Sequence, residues 1–179
     1  MNDTSYRVAL GGVISSLCLM MMFMTSLTPL LYLVMPMFAG LLLIIIISEI
    51  SVSWAFLTYI SVSMLSMLVT FNKESALMFI MFFGHYPMLK LYIEKLKFRP
   101  LRVLIKFILY NLCIAAEMFA VIYLLGIDDM IKEMNDMGKY GLWIMLGMSN
   151  LMFISYDVAL SSCSLLYKKW LKPKILLKK

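Results

Sequence analysis

The chain reads as a succession of long apolar runs separated by short polar breaks. Its most extreme stretch is Leu41–Ile47, seven consecutive aliphatic residues inside an apolar run from Pro29 to Ser48. A helix without a polar face cannot lie on the surface of a water-soluble domain. Each run is long enough to cross a ~30 Å hydrocarbon layer as a helix. The pattern predicts six spans, over residues 8–27, 29–48, 53–70, 75–92, 101–125 and 141–166, followed by a basic cytoplasmic tail over 167–179. The first run lacks a small-residue cleavage site and is too long for a signal core, so it is expected to be retained as a span. Pro29 suits the first turn of the second helix, and Pro36 predicts a kink or a restart within it. Gly84-His85-Tyr86-Pro87 predicts a bend late in the fourth. The polar loop 127–140, with Asp128, Asp129, Glu133 and Asp136, has room for a short amphipathic turn.

Composition agrees with this pattern. At 63% hydrophobic and 15% charged, with a mean hydropathy of +0.93, the chain cannot cover itself with a wet surface. The expected class is an all-α polytopic membrane protein, in a single transmembrane domain. The net charge of +6 does not point to nucleic acid, because the cations fall in clusters between apolar runs. Placing both termini in the cytoplasm puts 13 of the 16 Lys and Arg residues inside; only Lys73, Lys132 and Lys139 fall outside. That bias follows the positive-inside rule. Cys18, Cys113 and Cys163 are scattered singly, so neither a disulfide framework nor a zinc site is expected.

Ionisable residues within spans cost roughly 2.5–3.5 kcal/mol to insert and are functional candidates by default. They are Glu49, His85, Lys106, Glu117 and Asp157. At ~1.5 Å per residue, Glu117 lies some 24 Å along the fifth span, towards its outer end. Asp157 is as far along the antiparallel sixth span, hence near the inner end, at a depth similar to Lys106. Lys106 and Asp157 are therefore expected to form a structural ion pair. In the outer half, Glu117, Asn111, Asn150, Lys73 and Glu74, with Trp143, Tyr59 and Tyr123 as aromatic walls, are the candidates for an outward-facing ligand cavity. On the first helix Ala9, Gly12 and Ser16 share a face, a small-residue pattern that lets another helix approach closely. No Ser-x-x-Lys, GxSxG, HExxH or phosphate-binding glycine loop occurs, and the sole His has no metal-ligand companion. No enzyme, metal or cofactor is expected.

Six short helices, the small residues Ala9, Gly12 and Ser16, and polar groups in the outer half together resemble the substrate-binding S component of bacterial energy-coupling factor transporters. That family carries an Ala-x-x-x-Ala-like docking motif on its first helix; here Val13 stands four residues after Ala9, while Gly12 and Ser16 keep the small-x-x-x-small form. Asn72-Lys73-Glu74-Ser75-Ala76, Gly84-His85-Tyr86-Pro87-Met88-Leu89-Lys90 and Tyr156-Asp157-Val158-Ala159-Leu160 also look like stretches of a group of uncharacterised Firmicutes membrane proteins. The resemblance implies a subunit that captures a small, vitamin-like nutrient and docks on a coupling membrane subunit driven by ATPases. The rival expectation is a membrane scaffold or assembly protein whose buried polar residues are structural only.

Overall fold

The computed structural model describes residues 4–27, 31–124, 126, 138–167 and 169. Among these there is no strand, and six helices are long and apolar enough to cross a membrane. The helices are α1 (Thr4–Met24), α2 (Leu31–Glu49), α3 (Val52–Val69), α4 (Lys73–Met78), α5 (Tyr86–Ile93), α6 (Arg99–Phe119) and α7 (Gly141–Leu166). A wide π turn, Phe79–Phe83, joins α4 to α5 as one span, a second one, Ala120–Leu124, extends α6, and a 3-10 turn, Gly138–Tyr140, leads into α7. The expected turn at Pro29, the body of the acidic loop and the lysines of the tail other than Lys169 lie outside the described residues.

Local chemistry sets the helix starts. Ser51 accepts a hydrogen bond from the Trp54 N–H, and Asn72 does the same for Ser75, satisfying amide groups that a helix N-terminus leaves unpaired. Pro100 occupies the first turn of α6, where its missing N–H costs nothing.

The centre of the bundle is the span Lys73–Ile93. Of its most apolar window 61% is buried, against 17–33% in the other five. α2 packs against this span and also against α1, α3 and α7, while α6 closes the bundle against the span and α7. Lipid is as apolar as the side chains, so helix association here rests on close contact and hydrogen bonds rather than on escape from water. Aromatic rings supply much of that contact. Phe82 lies against Tyr86, Tyr110, Phe153 and Tyr156, and Tyr110 stacks on Phe153 with centroids 4.6 Å apart.

Two prolines inside the spans each leave a carbonyl four residues earlier without its helical N–H, and each carbonyl is met by a hydroxyl from elsewhere in the fold. Pro36 frees the Tyr32 carbonyl, to which Ser75 donates at 3.0 Å. With that oxygen satisfied, α2 runs unbroken over Leu31–Glu49, and the restart expected at Pro36 does not occur. Pro87 frees the Phe83 carbonyl, to which Tyr156 donates at 2.9 Å. Just before it, the Gly84 N–H reaches back to Phe79 O, and Ile80 O receives the Tyr59 hydroxyl at 2.6 Å and faces His85 Nδ1 at 3.3 Å. This chemistry breaks the helix at Gly84–His85 and accounts for the sole histidine.

Candidate functional site

A cavity of about 440 Å³ opens at the end of the bundle where α2, α4 and α7 begin and α6 ends. Tyr32, Met78, Phe82, Tyr110 and Met152 form much of its wall, and among the described residues Glu117 is the only ionisable one lining it apart from tyrosines. Tyr110, Ile114 and Glu117 follow at i, i+4 and i+7, one stripe of α6. Leu142, Met145, Leu146, Ser149 and Met152 form the facing stripe of α7. The Glu117 residue is 4% exposed, and among the described residues none hydrogen-bonds or ion-pairs with its carboxyl. The charge that acts on it comes from another carboxylate, Glu74.

The other residues expected at this site are engaged differently. Asn111 and Asn150 face each other across α6 and α7, each amide nitrogen within 3.3 Å of the other's oxygen, and neither lines the cavity. Each also donates to its own helix, at Phe107 O and Leu146 O, so the pair is a brace. Lys73 Nζ caps the C-terminal end of α3, donating to Met67 O at 2.7 Å and to Thr70 O at 2.9 Å. Glu74 sits in the first turn of α4 and is not in the cavity wall. Trp143 is 72% exposed and does not line the cavity; it falls off the inward stripe of α7, on the surface that suits an amphipathic indole at a membrane interface. Tyr123 is equally exposed, and Tyr59 is committed to Ile80 O. The aromatic walls are instead Tyr32, Phe82, Phe83 and Tyr110.

At the opposite end lies a charged cluster. Lys106 Nζ is 2.9 Å from Asp157 Oδ2 and 3.0 Å from Oδ1. A second lysine completes it: Lys90, 5% exposed, lies 2.8 Å from Asp157 Oδ1 and donates to Ser161 Oγ at 2.7 Å. Tyr86 donates to Asp157 Oδ1 at 2.6 Å, and Glu94 lies within 3.7 Å of both lysine nitrogens. Two cations and two anions thus clamp α5, α6 and α7 together. Lys90 stands on α5, three positions after Pro87 and one turn before Glu94, where the chain is about to enter its polar connection. Ser161 beside Lys90 is no nucleophile pair, because Asp157 holds the ammonium as an ion-pair partner.

Ala9, Gly12 and Ser16 all face outward, and a Cβ on Gly12 meets nothing within 4 Å. The inner face of α1 is Ile14, Cys18 and Met22. Glu49, at the end of α2, keeps Oε1 buried without a hydrogen-bond partner. Among the described residues no three His, Cys, Asp or Glu side chains group to hold a metal ion.

These features define the class: among the described residues, a helical chain with six helices fit to cross a membrane and an open, mostly apolar cavity bearing a buried carboxyl. Compared with family models, curated proteins and solved structures, the chain matches none.

Proposed function

We propose that this chain is a substrate-binding subunit of the S-component kind, serving uptake of a small nutrient across the bacterial plasma membrane with both termini in the cytoplasm. The observation that carries the reading is Glu117: a carboxyl in a cavity wall, buried, with no hydrogen-bond or ion-pair partner among the described residues. Burying such a group is costly, and a carboxyl in a cavity wall is placed to meet a ligand. The excess of cations at the other end supports an outward-facing cavity under the positive-inside rule. Transport then requires a coupling membrane subunit and ATPases as partners, since this chain carries no nucleotide-binding motif. The outward small-residue face of α1 is the surface on which such a subunit would dock. That face equally favours the second reading, a scaffold that binds membrane partners and no ligand.

An affinity pull-down from the native membrane tests the proposal, with mass spectrometry of the subunits recovered and of small molecules released on denaturation. Recovery of ATPase and coupling subunits with one near-stoichiometric small molecule is the expected result. Recovery of unrelated membrane proteins and no small molecule favours the scaffold.

A further inference from the structure

We infer that the cavity takes a lipophilic monocation, an apolar body carrying one ammonium-like charge. This rests on the reading of the cavity as a binding site and names the class of its ligand.

Charge comes first. The Glu117 carboxyl offers up to about four lone-pair directions, and none meets a donor among the described residues. Three lysines of the surrounding bundle are committed elsewhere: Lys73 to Met67 O and Thr70 O, and Lys90 and Lys106 to Asp157. No Lys or Arg lines the wall among the described residues, and Glu74 nearby is a second carboxylate, so the wall suits a cation better than an anion. The walls suit the same ligand. Tyr32, Phe82 and Tyr110 supply aromatic rings, whose faces attract a desolvated cation, and the methionines provide soft, adaptable contacts for an apolar body of variable shape.

Polarity then excludes the alternatives. Tyr110 donates its hydroxyl to Ser149 O, and Ser149 donates its own to Leu146 O, so neither remains as a donor for a sugar or a phosphate. The route in is also apolar. Met148 and Leu151 line the cavity and are 66% and 69% exposed on the flank of α7, so the cavity reaches the lipid-facing side of the bundle. A molecule that partitions into the bilayer arrives at this opening already desolvated.

The test uses the purified chain in nanodiscs of zwitterionic lipid, with empty discs as the blank. Radiolabelled tetraphenylphosphonium is the probe, and 2-phenylethylammonium, 2-phenylethanol and 3-phenylpropionate are the competitors. Saturable binding of the probe is expected, displaced about tenfold or more better by the ammonium than by the alcohol, and not by the carboxylate. Glu117→Gln should weaken probe binding about tenfold or more at an unchanged melting temperature. Met145→Trp, which fills the cavity and leaves Glu117 in place, should block binding, and with the competitor series it decides the matter even where Glu117→Gln fails to fold. Alcohol and ammonium competing equally, or a folded Glu117→Gln that binds the probe normally, overturns the cation inference and leaves a binding subunit for neutral molecules. Absence of saturable probe binding overturns the cation inference, and where neither the alcohol nor the carboxylate raises the melting temperature either, the binding reading falls with it.

Discussion

Tyr156 donates its hydroxyl to the carbonyl of Phe83, 2.9 Å away, an oxygen that Pro87 deprives of its helical partner. Both groups are buried at the middle of the bundle. Tyr156→Phe keeps the ring and strands the carbonyl, so a loss of about 1–3 kcal/mol is expected in unfolding measurements in detergent. Tyr59→Phe removes an analogous bond to Ile80 O, but that oxygen also faces His85 Nδ1. The smaller loss is therefore predicted for Tyr59, and the reverse order sinks the account.

Gly40 makes this contact sterically possible. A Cβ at that position would stand 2.3 Å from both Phe83 O and the Tyr156 hydroxyl, one of them backbone that cannot swing aside. Gly40→Ala is predicted to cost about 1–3 kcal/mol or more, the usual range for overpacking. Gly147→Ala, with nothing within 4 Å, serves as the control and should be neutral or slightly stabilising. Equal melting temperatures for the two variants would falsify the crowding argument.

The spans themselves were legible because hydropathy reports length and lipid exposure directly. Centrality was not. The aliphatic run of α2 is the most conspicuous stretch of the sequence, yet the most buried span is Lys73–Ile93, whose proline, glycine, tyrosines and lysines dilute its apolar signal. A helix surrounded by other helices can carry polar groups that find partners, whereas one facing lipid cannot. The same logic explains the site. Glu117 was legible as a costly intramembrane carboxyl, and Asp157 and Lys106 as groups at matching depth. Lys90 was hidden because the chain enters the polar connection only a few residues later. Asn111 and Asn150 share a depth with the cavity, but depth carries no information on facing, and they turned to one another.

The Lys90, Lys106 and Asp157 cluster predicts strong coupling. Side chains of both lysines are almost fully buried, at 6% and 12% exposed, and Asp157 receives both of them and Tyr86. Asp157→Asn leaves two lysines short of their counter-charge, and removing one partner of a buried pair costs about 3–5 kcal/mol. Lys106→Met is expected to cost less, since Lys90 still balances Asp157. In the double variant the losses should fall short of additive by about 1 kcal/mol or more, and additive losses by urea or thermal unfolding would show that the pair does not contribute.

Orientation is open to a labelling experiment. With 13 of 16 cations assigned to one side, Lys95→Cys in the basic connection should react with a membrane-impermeant maleimide only after cells are opened. Ser26→Cys, beyond the end of α1 at the other end of the bundle, should react in intact cells. The opposite pattern inverts the protein and turns the cavity towards the cytoplasm, removing nutrient capture from outside as its role.

The outward face of α1 separates docking from folding. Ala9, Gly12 and Ser16 are exposed, and Ser16 spends its hydroxyl on Gly12 O within the same helix, so among the described residues no neighbour depends on them. Gly12→Leu should therefore leave the stability of the isolated chain unchanged or raised by up to about 1 kcal/mol. Where a partner helix packs on this face, the same leucine holds the two backbones apart, and small-residue interfaces tolerate such bulk poorly. Loss of co-purifying membrane subunits without loss of stability is the expected result. Retention of every partner shows that docking uses another surface, and a destabilised isolated chain shows that the face packs within the bundle after all.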